Sequence, residues 1–159
     1  MTLVGIGFDS HRLAAGRKLL IGGVEIPFER GLDGHSDADV LAHAVIDALL
    51  GACGKDDIGE RFPNTDERWR DADSMEMLAS VVENVLTEGL EIVNVDCTVV
   101  MEAPKLSPHR QAIREKLAEV LEVEVTRVNV KASTGEGMGF VGRGEGVAAL
   151  AIAGLRRAD

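Results

Sequence analysis

Apolar and polar positions change period several times along this chain, and each change marks an element. The run Leu3-Val4-Gly5-Ile6-Gly7 makes residues 2–7 read as a strand. Short apolar runs at 18–21 and 24–27 flank Gly22-Gly23, which predicts a hairpin. Ser36 with Asp39 resembles a capping box, good helix formers follow over 38–53, and Gly54 stops them. Residues 57–66 are polar and punctuated, so they read as a loop. Ser74 is placed to cap a second helix running to Glu88 and closed by Gly89. Over 92–101, Ile92, Asn94, Asp96 and Thr98 alternate with Val93, Val95, Cys97 and Val99, the period of a strand. Ser107-Pro108 supplies an N-cap and a first-turn proline for a third helix ending near Glu122. Residues 128–132 form another strand, and 146–155 a last one, apolar on both faces and therefore expected to be deeply buried. Mixing strands and helices in this order predicts an α+β (mixed α/β) fold, one mixed sheet with helices packed on it.

Length and charge narrow the picture. At 159 residues the chain suits one domain spanning 1–159. Aromatic residues are only 3%, so the core must be built from Val, Leu, Ile and Ala. Lys and Arg number 17 against 27 Asp and Glu, a net charge of -10 that argues against nucleic acid or an anionic membrane as partner. The same charge would repel a phosphate substrate unless local metal ions offset it. Cys53 and Cys97 have no metal-type spacing and read as buried, reduced thiols. The N-terminus lacks the regions of a signal peptide, and the longest apolar stretch, 147–155, is too short to span a bilayer. A soluble, cytoplasmic protein is expected.

Three groups of residues can carry chemistry. Asp9 and His11 sit two apart at the end of an apolar run, so an extended backbone turns both to one face. His43 would approach from the helix that begins near Ser36. One carboxylate and two imidazoles make the ligand count of a zinc site whose fourth position is open for chemistry. Asp39 and Asp47 stand four residues before and after His43, each placed to take the ring's other N–H. A cluster of acids favoured by the helix dipole would also explain Asp37 and Asp39, though not Asp47. The second group is the glycine-rich segment 133–146. Its G-x-G-x-x-G at Gly137, Gly139 and Gly142 is not a dinucleotide site, because a strand rather than a helix follows. Ser133, Thr134 and Glu136 instead suit a phosphate with magnesium. The third is Ala103-Pro104-Lys105 at a strand end, where a lysine can hold a charge beside a phosphate.

Taken together, the chain closely resembles the 2-C-methyl-D-erythritol 2,4-cyclodiphosphate synthase family. The resemblance is carried by Gly7-Phe8-Asp9-Ser10-His11, by His35-Ser36-Asp37-Ala38-Asp39-Val40 through His43, and by Asp47-Ala48-Leu49-Leu50-Gly51-Ala52. Asp57-Ile58-Gly59, Phe62-Pro63-Asn64-Thr65-Asp66, Ala103-Pro104-Lys105, Asn129-Val130-Lys131-Ala132 and Gly142-Arg143-Gly144-Glu145-Gly146 follow in family order. It implies a homotrimer with active sites between subunits, converting 4-diphosphocytidyl-2-C-methyl-D-erythritol 2-phosphate to the cyclic diphosphate and CMP. It implies that Asp9, His11 and His43 hold zinc, that Glu136 holds magnesium or manganese, and that His35 and Thr134 stabilise the transition state. Asp57 would contact the ribose, with Ile58 beside it. Met101, Glu102, Ala103, Pro104, Lys105, Leu106 and Ser107 would form the cytidine side. Ser36, Gly59, Phe62, Pro63, Asn64, Thr65 and Asp66 would shape the methylerythritol end, and Ser10, Ser133 and Gly135 would also belong to the substrate-binding residues. Phe140 and Arg143 lie where the family lines a cavity on the trimer axis that takes isoprenoid diphosphates. Gly135 stands where the family often has a hydroxyl residue, and Asn64 where it often has an acid. The alternatives are a zinc phosphohydrolase using the same trio to activate water, and a non-catalytic trimeric binder of isoprenoid phosphates.

Overall fold

The computed structural model describes residues 1–158. Its main sheet has five strands in the order β4-β1-β7-β5-β6, and a two-stranded hairpin, β2-β3, stands apart. The strands are β1 (Thr2–Ala15), β2 (Leu19–Ile21), β3 (Val24–Ile26), β4 (Arg30–Asp33), β5 (Leu90–Val100), β6 (Val128–Ser133) and β7 (Gly146–Arg157). β1 pairs antiparallel with β4 and β7, β5 antiparallel with β7, and β5 parallel with β6, so the sheet is mixed. The helices are α1 (Val40–Ala52), α2 (Ile58–Arg61), α3 (Ser74–Thr87), α4 (Arg110–Leu121) and α5 (Gly139–Gly142). The expected α+β fold is present, with differences at several boundaries.

The first strand is twice as long as its apolar run suggests, reaching Ala15. Alternation continues past Gly7 through polar residues, because only one face is covered. β4, α2 and α5 are additions; each is four residues long, too short to leave a periodic signal, and α5 is a single helical turn inside the G-x-G-x-x-G ahead of the expected strand. α1 is capped by Asp39, which accepts the Ala42 N–H, so the box led by Ser36 does not form. Asp73 rather than Ser74 caps α3, and Ser107-Pro108 forms a short 3-10 turn ahead of α4 instead of its first turn. Cys97 is buried as expected, whereas Cys53 is only half-buried.

α1, α3 and α4 cover one face of the sheet. That face carries Gly5, Gly7 and Asp9 of β1, Ala149, Ala151 and Ala153 of β7, and Val95, Cys97 and Val99 of β5. Methyl and isopropyl groups fill this layer, consistent with the scarcity of aromatics. α1 lies very close to β1: a Cβ on Gly7 would sit 1.8 Å from the Ala44 carbonyl oxygen, and one on Gly5 2.0 Å from that of Ala48. Only glycine on the strand, facing alanine on the helix, permits this approach.

The opposite face is bare. Val4, Ile6 and Phe8 of β1 are 66%, 67% and 56% exposed, beside exposed Leu150 and Ile152 of β7. β7 is therefore not buried on both faces, which corrects the expectation from its composition. Continuous apolarity marks a strand that excludes water on both sides, and a partner can do this as well as a helix can.

Candidate metal centre and active site

Extended backbone in β1 turns Asp9 and His11 to the helix-covered face, beyond the last glycine, where α1 begins to rise off the sheet. His43 comes down from the first turn of α1. Asp9 Oδ2 lies 2.8 Å from His11 Nε2 and 3.0 Å from His43 Nδ1, and the two ring nitrogens are 3.1 Å apart. Three ligand-type atoms thus converge on one point, all within 4.8 Å of one another. Tetrahedral coordination with bonds of ~2.0–2.1 Å spaces ligand atoms about 3.3 Å apart, so the cluster suits zinc after a small expansion.

Polar contacts around the trio fix its orientation. His11 Nδ1 donates to the Asp33 carbonyl at 3.1 Å, leaving its Nε2 lone pair for the focal point. Burial raises the Asp9 pKa, but hydrogen bonds and charge from His11 and His43 outweigh it and hold the carboxyl at about 2. Burial likewise opposes charging of His11, and Asp9 overcomes it, so the His11 pKa is raised.

The acids expected to support His43 do other work. Asp39 accepts N–H bonds from Gly22, Gly23 and Ala42 at 2.8, 2.6 and 3.0 Å, which ties the hairpin turn to the start of α1. Its burial lifts its pKa, and those three bonds offset this only in part. Asp47 accepts the Ile58 N–H at 2.8 Å and so anchors α2. A position four residues away on a helix gives proximity, not direction, and backbone donors lying nearer claimed both carboxylates. His43 Nε2 meets Ser74 Oγ at 2.8 Å and Ser36 Oγ at 3.1 Å instead. Ser74 is 31 positions from His43, so no spacing in the sequence could have linked them.

A cavity of about 370 Å³ opens in front of the trio, lined also by His35, Ser36, Ile58, Gly59, Phe62 and Asn64. Ser36, Gly59, Phe62 and Asn64 are residues expected at the methylerythritol end; His35 was expected at the transition state and Ile58 beside the ribose contact. Gly34, Trp69 and Met77 complete the wall and were not foreseen. Trp69 packs edge-to-face on Phe62 at 4.9 Å between ring centres, and its indole N–H is buried without a partner. The adjoining Asp57 caps α2, and Asp66 caps the turn at 67–69 and pairs with Arg68; Pro63 is half-buried and Thr65 exposed. Ser10 stands on the bare face, opposite Asp9 and His11.

The remaining expected residues gather elsewhere. Glu102 accepts the Gly135 N–H, and the Met101 N–H bonds the Ser133 carbonyl at 2.9 Å, so segments 101–107 and 133–136 form one cluster. Within it Ala103, Lys105 and Ser107 are exposed, Pro104 is half-buried, and Met101 and Leu106 are buried anchors. A Cβ at Gly135 would lie 2.7 Å from the Gly142 nitrogen, which explains why no hydroxyl side chain stands there. Glu136 is exposed in the left-handed region at φ 52, with Thr134 Oγ1 3.2 Å from its N–H. Its exposed carboxylate, whose Oε1 accepts the Thr134 hydroxyl at 3.4 Å, suits magnesium, which takes one or two carboxylates and completes its shell with phosphates and water. Phe140 lies half-exposed on α5, and Arg143 pairs with Glu145 at 2.8 Å just beyond it.

The sheet register relates the two clusters. Asp9 is level with Ala149, Val99 and Ala132, so the trio and the 133–136 loop share one end of the sheet. They lie three strand steps apart, from β1 through β7 and β5 to β6, a separation of about 14 Å. One chain therefore presents two separate clusters of candidate residues towards opposite sides of the sheet.

A model of the YgbB family matches residues 2–156. The 2-C-methyl-D-erythritol 2,4-cyclodiphosphate synthase of Halalkalibacterium halodurans is 55% identical over 152 residues, 96% of this chain and 97% of that protein. Among solved structures, the bifunctional IspDF of Campylobacter jejuni superposes on all of this chain with a TM-score of 0.96 at 43% identity. The match occupies 43% of that longer protein. IspF of Plasmodium falciparum, solved as a CDP complex, gives a TM-score of 0.88 at 28% identity, covering 99% of this chain and 97% of that one. Agreement of this length, in sequence and in backbone alike, shows that the chain belongs to the YgbB family of 2-C-methyl-D-erythritol 2,4-cyclodiphosphate synthases.

Proposed function

We propose that the chain converts 4-diphosphocytidyl-2-C-methyl-D-erythritol 2-phosphate to the 2,4-cyclodiphosphate and CMP, in active sites shared between subunits of a homotrimer. An oxygen of the 2-phosphate attacks the β-phosphorus. The bond from that phosphorus to the bridging oxygen breaks, and CMP departs with the electron pair. The nucleophile is already an anion, so no dedicated base is required, and catalysis rests on positioning and charge stabilisation.

Asp9, His11 and His43 would hold zinc, and Glu136 magnesium or manganese. Bound zinc polarises a phosphoryl oxygen, and the second cation offsets the charge that builds on CMP. His35 and Thr134 would donate to phosphate oxygens from the two half-sites. The cavity wall from Ile58 to Trp69 excludes water around the methylerythritol carbons, and the 101–107 segment with Asp57 would receive the nucleotide. The CDP held by the Plasmodium falciparum relative supports a cytidine diphosphate group as the recognised part.

The observation that carries this reading is the convergence of Asp9, His11 and His43 at the mouth of a cavity lined by the expected substrate residues. The half-sites on opposite sheet edges, and the bare apolar face between them, support the trimer. A cyclic assembly would set one copy's β6 edge against the side of the next copy that carries β4 and the unpaired part of β1.

The test combines product analysis with subunit mixing. Zinc- and magnesium-supplied protein should yield cyclic diphosphate and CMP; open-chain hydrolysis products would favour the phosphohydrolase instead. His43→Ala and Glu136→Gln should each be nearly inactive. Random co-assembly of the two should restore about a quarter of parental activity, the share of interfaces that receive both intact halves. No recovery on mixing would place the site within one chain.

A further inference from the structure

His11 and His43 reach the same focal point with different security. A backbone carbonyl can only accept, so Asp33 O compels His11 to carry its proton on Nδ1. A hydroxyl can accept or donate, so Ser74 Oγ at 2.8 Å from His43 Nε2 would by itself leave the His43 proton undetermined. If that proton sat on Nδ1, the nitrogen facing Asp9 and His11 would have no lone pair to offer a metal.

Asp37 removes the ambiguity. Its Oδ1 accepts the Ser74 hydroxyl hydrogen, and its Oδ2 accepts the Ser74 backbone N–H at 3.0 Å. Ser74 is fully buried, so water does not compete for these contacts. Once its only hydrogen is committed to Asp37, Ser74 Oγ presents lone pairs to His43. An unprotonated Nε2 would then face them lone pair to lone pair at 2.8 Å. Ser36 Oγ accepts the Ala38 N–H and lies 3.1 Å from Nε2 and 3.5 Å from Ser74 Oγ; with its own hydrogen turned to Ser74 it offers His43 a second lone pair. The backbone is shaped for the arrangement. Ala38, buried at φ 59, turns the chain so that Asp37 faces Ser74 while Asp39 faces the start of α1. Carboxylate, hydroxyl and imidazole Nε2 form a chain in which the ring donates, while on the other side of the ring Asp9 Oδ2, 3.0 Å from Nδ1, accepts any proton that Nδ1 carries in the absence of metal.

We propose that Asp37 and Ser74 are positioning residues that hold the His43 proton on Nε2 and so keep Nδ1 free as a ligand. The proposal rests on the reading that Asp9, His11 and His43 hold zinc. Both residues act through His43 and neither touches the focal point.

Imidazole-nitrogen NMR of the full chain stripped of metal reads the tautomer, and titration with zinc against a chromophoric chelator reads affinity. The parent should show His43 protonated on Nε2. Asp37→Ala frees the Ser74 hydrogen to donate, so His43 should become a mixture of both tautomers and zinc should bind about ten- to a hundred-fold more weakly. Ser74→Ala should weaken zinc to a similar degree, and Ser74→Thr, which keeps the hydroxyl, should return affinity to within about threefold. Thermal melts identify any variant that fails to fold, and the Ser74 pair decides the matter if Asp37→Ala does. A parent His43 without a proton on Nε2, or zinc affinity within about twofold of the parent in both alanine variants, would overturn the proposal. A parent that binds no zinc would sink the zinc reading itself, while the metal-free tautomer would still decide the role of Asp37 and Ser74.

Discussion

At the scale of single residues, the site is governed by which atom holds which proton. Without metal, and between the Asp9 pKa and the raised His11 pKa, the two pair as carboxylate and imidazolium. The Asp9 share of that stabilisation is complete above its unfolded value of 3.8 and is lost as pH falls towards about 2. The His11 share is complete below 6.5 and is lost as pH rises through its raised folded value. Metal-free protein should therefore melt highest between those limits, as calorimetry across pH would read. Zinc needs the same His11 Nε2 that the proton occupies. Zinc affinity should rise about tenfold per pH unit below the raised His11 pKa and flatten above it. Chelator competition at several pH values measures this, and a flat profile would exclude His11 from the ligand set. Asp9, His11 and His43 were legible in the sequence, because two-residue spacing on a strand and a helical histidine nearby follow from local geometry. The partners of those residues were not. Ser74, Asp37 and Asp33 are brought to the rings by tertiary packing, and hydrogen-bond direction depends on what lies closest in space.

At the scale of elements, the metal centre depends on how closely α1 approaches β1. Gly5 and Gly7 let the helix backbone rest on the strand, and Ala44, Ala48 and Ala52 face them at one-turn intervals. That contact sets the height at which His43 meets Asp9 and His11. Gly7→Ala would force α1 outward, destabilising the fold by about 3 kcal/mol. It would also weaken zinc binding although no ligand has changed. Urea unfolding and chelator competition on the same variant check both effects, and parental zinc affinity in a destabilised variant would separate the site from this packing. The long elements were legible because each offers two or more turns, or several alternations, of one period. β4 and α2 were not, since four residues carry no period, and the caps shifted because several acids compete for each helix start.

For the whole molecule, the decisive feature is the pairing of a bare apolar face with two separated clusters of candidate site residues. Val4, Ile6, Phe8, Leu150 and Ile152 form one patch across β1 and β7, with Ile6 directly opposite Ile152. Ile152→Lys places a charge in its middle and should yield monomers, read by light scattering, because burying an unpaired charge is unfavourable. Such monomers should keep zinc at parental affinity, since Asp9, His11 and His43 lie on the other face, and should have no cyclase turnover. Full turnover by a monomer would refute shared sites. The amino-acid sequence by itself determined the long elements, the mixed fold, the trio and the family, because period and motif order are local properties of the chain. Tertiary structure alone decided that Ser74 and Asp37 stand behind His43, that glycines set the helix height, and that β7 leaves one face uncovered. Contacts between residues 31 or more apart, and the difference between a core and an interface, exist only once the chain has closed on itself.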